Sequence, residues 1–342
     1  MNVTDENCAD TASQSYFIVV TFFACLFNVT LFYLIRTATH NLMKVYLKIL
    51  YSSVIIDFTS ALFQFSTQVR PSTQAGILTM SMDGFLPAMI QDWELFRGGR
   101  LNYILILEYF ACYSVIVYSI VPFVFRYLIA CWNYHMGPIA FSLLMIFVLG
   151  TALYASISIN YLCALVYDNN INFVPIPNPN CTRYLPQVSN LNMKDSHIAF
   201  VFETWLWIAL FFQYNYVIIL FCAFNVYVRI IRSSTFSTQE KLIQLQLFFT
   251  ISAQALIPFL VYYFQFVLTR VVYRFEFSKN ISQDLLYKSM FTSYSIVPLT
   301  NPLAAIFMIS SYRRTLKQLI FRAIGDIYVQ RSDVHPTNSS PH

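Results

Sequence analysis

Three acidic residues, Asp57, Glu108 and Glu203, stand inside long apolar runs of this 342-residue chain. An ionised side chain in apolar surroundings costs roughly 2.5 kcal/mol or more, so an acid kept there is expected to act as a counter-ion, a ligand contact or a member of a hydrogen-bonded network. Asp57 falls near the middle of its run. Counting about 1.5 Å per helical residue brings Asn28 of the first run and Asn301 of the last to a similar depth. These three are expected to form a polar cluster able to shift between two conformations; the alternative is a static network that holds helices together. Glu108 and Glu203 fall toward the other ends of their runs, at depths shared with Tyr109, Tyr113, Tyr262, Gln265 and Tyr294. Convergent polar groups in an aromatic setting suit a small ligand. For Glu203, near the start of its run, reaching the polar boundary is the simpler reading.

Other chemistry has little to stand on. No hydrolase, kinase, P-loop or dinucleotide motif occurs, and the seven glycines form no Gly-rich loop. His40, His135, His197, His335 and His342 have no metal-ligand spacing. No enzyme activity, cofactor or metal is expected.

The elements that must position these residues follow from composition. The chain is 57% hydrophobic and 11% charged, with a mean hydropathy of +0.56. Average soluble proteins are about 25% charged, so there are too few charges here to cover a soluble surface. The net charge of +5 is small and scattered, which excludes a nucleic-acid-binding surface. The chain is read as an all-α membrane protein, with the lipid bilayer as its surroundings. A spanning helix needs about 20 mostly apolar residues, and seven stretches qualify: 16–35, 43–66, 101–125, 138–164, 198–228, 245–269 and 285–311. The stretch 77–90 is broken by Asp83, Gly84 and Pro87 and is expected to be part of a loop. Residues 1–15 are expected to form an extracellular N-terminus, 16–311 the seven-helix bundle, and 312–342 a cytoplasmic tail. Pro122, Pro258, Pro298 and Pro302 lie within spans. Each removes a backbone hydrogen bond, and Pro258 in span six is expected to let the inner half of that helix swing.

Orientation is read from the charges and the sequons. The first positive charge, Arg36, follows the first apolar run, the reverse of a cleavable signal peptide. That run is expected to insert the chain with its N-terminus outside, and the Lys/Arg count favours this modestly. Sequons at Asn2, Asn180 and Asn280 then fall on one face, as expected for glycosylation. In this orientation Cys8 and Cys181 lie in the oxidising compartment. Cys181 would pair with Cys8, or with Cys112 if that residue lies high enough. The cytoplasmic rim is basic: Arg126 and Tyr127 end span three, Arg229 and Arg232 end span five, and Tyr312 and Arg313 follow span seven. Such residues also serve as ordinary helix anchors.

Local wording adds a resemblance. Phe125-Arg126-Tyr127-Leu128 ends span three, Arg70-Pro71 follows span two, and Gln244-Leu245-Gln246-Leu247-Phe248 leads to Gln254 and Ile257-Pro258 in span six. Pro298, Asn301-Pro302-Leu303, Ile306-Phe307 and Tyr312-Arg313 close span seven. Together these resemble the nematode serpentine chemoreceptors of the Str superfamily, seven-transmembrane G-protein-coupled receptors. Asn301 stands where that family commonly has Asp, and Phe125 where it has Tyr. The resemblance implies a heterotrimeric G protein as partner, met by Arg126, Tyr127, Arg229, Arg232, Tyr312 and Arg313. It also implies a small environmental molecule as ligand and the ciliary membrane of a chemosensory neuron as location. An opsin is disfavoured, since Ser295 occupies the middle of span seven and Lys288 lies near its outer end. A rival reading is a ligand-gated ion channel of inverted topology, but span seven shows no polar stripe to line a pore. A transporter would show internal repeats, and none is apparent.

Overall fold

The computed structural model describes residues 11–39, 45–74, 77–82, 84–90, 102–165, 184–189, 197–232, 237–274 and 283–333. Asn2, Cys8, Asn180, Cys181 and Asn280 lie outside the described residues, as do the side chains of Glu203 and Gln265.

A chain this apolar must satisfy its backbone within each segment, which selects helices. In order they are α1 (Thr11–Ala38), α2 (Leu47–Thr67), α3 (Phe85–Ile90), α4 (Asn102–Tyr118), α5 (Ile120–Trp132), α6 (Pro138–Leu165), α7 (His197–Arg232), α8 (Thr238–Arg274), α9 (Gln283–Met308) and α10 (Ser310–Asp333). Among the described residues six spans are long and apolar enough to cross a bilayer, with α4 and α5 counted together over Ile104–Trp132. A seventh is reached when Ser293–Met308 of α9 and Ser310–Arg322 of α10, bent by 93°, are counted as one span. The burial pattern is inverted relative to a soluble protein. Phe22, Ile146, Phe147 and Leu220 are exposed on the outside, whereas Asn28, Asp57, Gln64, Glu108, Arg126 and Asn301 are buried within. That arrangement suits a hydrocarbon solvent.

Packing sets the neighbours. α4 lies on α6, α5 on α7, and α9 against α1, α2 and α8. Small side chains permit close approach where Ala152, Ala155 and Ser156 of α6 are buried. The third span is interrupted at Ser119, whose N–H bonds back only three residues to the Ile116 carbonyl at 3.1 Å. Pro122 lacks the N–H that would pair with the Tyr118 carbonyl, which accounts for the break. Tyr118 also reaches α2, donating to the Ile49 carbonyl and sharing a hydrogen bond with Ser52, both at 2.7 Å.

Two boundaries differ from expectation for a local reason. The third span runs on to Trp132 and stops where Asn133 takes a left-handed conformation (φ 51°), so Arg126 and Tyr127 lie within the helix. Span six begins at Thr238, where Ser237 and Glu240 cap each other: the Glu240 N–H donates to Ser237 Oγ, and the Ser237 N–H donates to Glu240 Oε2. Gln244 is thereby helical too.

The sequence also gave no warning of a small sheet at one end of the bundle. β1 (Val69–Gln74), β2 (Ile77–Met82) and β3 (Tyr184–Ser189) form an antiparallel sheet in the order β1-β2-β3. Most of the stretch read as loop at 77–90 is thus β2 and α3. β1 begins one residue after Gln68, which ends α2 in a left-handed turn (φ 45°), and packs against α9. The chain returns close to α2 at Gly84, whose N–H donates to the Thr67 carbonyl at 3.0 Å. A Cβ at Gly84 would collide with the Ser66 backbone, so glycine is required there by close approach.

Candidate functional site

Polar side chains concentrate at three levels: near the sheet, at mid-bundle, and near α10. At mid-bundle two of the three expected residues meet directly, and the third bonds to the α9 main chain. Asn301 Nδ2 donates to Asp57 Oδ1 at 3.0 Å, joining α9 to α2. Asn28 Nδ2 donates to the Pro298 carbonyl at 3.0 Å and to its own helix at the Ala24 carbonyl at 2.9 Å. The reason lies in α9: Pro302 has no N–H, so the Pro298 carbonyl four residues earlier has no helical partner, and Asn28 supplies one from α1. Gln254 Nε2 of α8 donates to the Asn301 carbonyl at 3.0 Å, four residues before the buried Pro258. Asn28 Oδ1 and Asn301 Oδ1 are buried without a hydrogen-bond partner. A network with unfilled acceptors is one that a change in helix position can re-pair.

At the sheet level, Glu108 is 5% exposed and accepts a hydrogen bond from Thr67 Oγ1 at 2.7 Å. Thr67 is the last residue of α2, so this bond ties α4 to the root of the sheet. One turn along α4, Cys112 accepts from Gln64 Nε2 through its sulfur at 3.4 Å, and its carbonyl accepts from Tyr262 Oη at 3.4 Å. Tyr262 stacks on Tyr294 with ring centres 4.4 Å apart, and Tyr109 stacks on Tyr113 at 6.1 Å. Thus α2, α4, α8 and α9 converge, and the structure brings together Glu108, Tyr262 and Tyr294 around Cys112, with Tyr109 and Tyr113 stacked on α4. Cys112, the conditional alternative to Cys8 as a partner for Cys181, is a free, buried thiol engaged with Gln64 in the bundle interior. Thr67 and Gln64 were missed, because an isolated polar residue in an apolar helix carries no sign of which face it occupies.

Near α10, Arg126 is 2% exposed and held by Gln244: its Nη2 donates to the Gln244 carbonyl at 3.0 Å and to Gln244 Oε1 at 2.7 Å. The guanidinium lies over the Tyr46 ring at 5.3 Å and near Phe248 at 6.0 Å. Its Nε and Nη1 have no hydrogen-bond partner. Span six is fastened here a second time, since Ser310 Oγ donates to Gln246 Oε1 at 3.0 Å. Tyr127 packs against Phe221 of α7, while Arg229, Arg232 and Arg313 are exposed. Tyr312 was expected on the contact surface; instead it is fully buried and shares a hydrogen bond with Thr39 at the end of α1, at 3.0 Å. The right-angle turn before α10 carries Tyr312 inward, so it positions α10 and does not face outward.

The residues in these three levels include the same glutamines, prolines and Asn301 that carry the sequence patterns of spans six and seven. Over residues 13–317 the chain matches the family model described as serpentine type 7TM GPCR chemoreceptor Str. The chain belongs to the Str family. This Str protein is a serpentine seven-transmembrane chemoreceptor and an integral membrane protein. Among curated proteins, none matches it. In the Str chain the matched region ends within α10, so the family pattern includes the turn after Met308 and the Tyr312 anchor.

Proposed function

We propose that this chemoreceptor is a G-protein-coupled sensory receptor, not an enzyme. It sits N-terminus-out in the plasma membrane of a chemosensory neuron, in the ciliary membrane. The sheet end faces outside and takes a small environmental molecule among Glu108, Tyr109, Tyr113, Tyr262 and Tyr294, with Glu203 and Gln265 as further contacts. The α10 end faces the cytoplasm and activates a heterotrimeric G protein.

The observation that carries this reading is the Arg126–Gln244 contact. A guanidinium buried with two unpaired nitrogens is a strained resting arrangement. Moving span six outward frees Arg126 for carbonyls or carboxylates of a partner, with exposed Arg229, Arg232 and Arg313 at the rim. Pro258 supplies the flexible point, and the Asn28, Asp57 and Asn301 network re-pairs as the helices shift. Ligand and G protein then favour the same state, each by its difference in affinity for the two states.

The test has two parts. A C-terminal tag hidden in intact cells, with glycan lost on Asn180→Gln, is the expected topology; a tag exposed on intact cells inverts the protein and sinks the reading. Arg126→Ala at matched surface level should abolish ligand-free nucleotide exchange on the G protein, and unchanged exchange would remove Arg126 from the coupling mechanism.

A further inference from the structure

Among the described residues Glu108 is a buried acid with no counter-ion. Its Oε2 accepts from Thr67, but its Oε1 makes no hydrogen bond among the described residues, and no described Lys, Arg or His forms an ion pair with it. An ionised carboxylate has about four acceptor sites, so one hydroxyl leaves most of them unused. Glu108 keeps 5% of its surface exposed, so its carboxyl is not completely sealed. On the same face of α4, about 6 Å further along, Cys112 receives the hydroxyl of Tyr262, whose ring is stacked on Tyr294. Glu108 and the Tyr262–Tyr294 pair thus meet the same helix about one turn apart.

We propose that the ligand of this site, on the receptor reading above, is a small primary amine whose ammonium is anchored by Glu108 and whose apolar body lies on the Tyr262–Tyr294 pair. The cation supplies a positive charge that no described residue offers Glu108. An aromatic face adds cation–π attraction where a partly desolvated ammonium comes within about 6 Å of it. Charge-assisted hydrogen bonds to a carboxylate are short and strong, so an amine has an advantage that an alcohol of the same shape lacks. A neutral ligand with a carbonyl would instead require Glu108 protonated.

The measurement uses purified, full-length receptor in lipid nanodiscs and reads thermal unfolding, so it needs no G protein. The probes are phenethylamine and isopentylamine, each beside its matched alcohol. Both amines should raise the unfolding temperature of wild type and the alcohols should not. Glu108→Gln keeps an acceptor for Thr67 and removes the charge. Without probe it should unfold no earlier than wild type, and its affinity for the amines should fall about tenfold or more. Thr67→Val should keep the amine response, because it leaves the carboxylate in place. Wild type indifferent to both amines, alcohols equal to amines, or an undiminished response in Glu108→Gln each overturns the proposal. So does a ligand-free Glu108→Gln less stable than wild type, or a Thr67→Val that mimics it, since either makes Glu108 a structural clip to α2. Amine binding without any nucleotide exchange would leave this assignment standing and sink the coupling reading instead.

Discussion

The strength of the Arg126–Gln244 contact sets how silent the resting receptor is. Gln244→Leu deletes the 2.7 Å bond from the guanidinium to Oε1 but leaves the main-chain carbonyl at 3.0 Å. A hydrogen bond to a charged group contributes about 1.5–3 kcal/mol. With one acceptor remaining, the low end applies, about 1.5 kcal/mol. If the bond exists only in the closed state, the ratio of open to closed receptor rises about tenfold, for instance from about 1% open to about 10%. Gln244→Glu works in the opposite direction: it sets a carboxylate against a guanidinium that has two unpaired nitrogens, deepening the closed state. The assay is ligand-free nucleotide exchange on a heterotrimeric G protein in membranes with equal surface receptor. Leu above wild type and Glu below it is the expected order. Exchange in Gln244→Leu at or below the wild-type level would falsify the view that Gln244 restrains the receptor.

Other perturbations follow from the same contacts. Asn28→Leu leaves the Pro298 carbonyl buried and unpaired, which should destabilise the purified receptor by about 1–3 kcal/mol in thermal or denaturant unfolding; no change would show that the carbonyl finds another donor. Asn301→Leu strips Asp57 of its 3.0 Å partner and leaves, among the described residues, only Ser53 at 3.5 Å. It should therefore be more destabilising alone than in combination with Asp57→Leu, and a double-mutant cycle with no coupling would contradict the contact. Gly84→Ala forces the backbone away from Ser66, which should cost about 1–3 kcal/mol; unfolding that matches wild type would refute the close approach.

The spans were legible because bilayer thickness writes itself into sequence as runs of about 20 apolar residues. Asp57, Asn28 and Asn301 could be paired by depth alone, since rise per residue is fixed and polar residues are rare in such runs. Depth does not give azimuth, however. Thr67 and Gln64 point at α4 only because of how α2 is rotated, and Cys112 faces Gln64 for the same reason. Gln244, Gln246 and Gln254 were visible as a pattern, but nothing local says that they fasten span six to α5, α10 and α9 respectively. The sheet was hidden for a different reason. β2 pairs with β3 about one hundred residues away, and the Gly and Pro that interrupt 77–90 read as loop signals. Tyr312 was misplaced because a basic, aromatic segment after a span resembles an interfacial anchor until the 93° turn shows which way it folds.

The partnership between Asn28 and Pro302 has a consequence for how this receptor can change over generations. Asn28 is useful to α9 only because Pro302 leaves the Pro298 carbonyl without a helical donor. Were Pro302 to drift to another residue, the helix would close its own bond and Asn28 would lose its purpose there; were Asn28 to drift first, the proline would become a liability. The effect of each substitution depends on whether the other has occurred, so the two positions, 274 residues apart in the chain, are epistatic. Relatives should hold or lose this pair together, and the order of loss should run through Pro302.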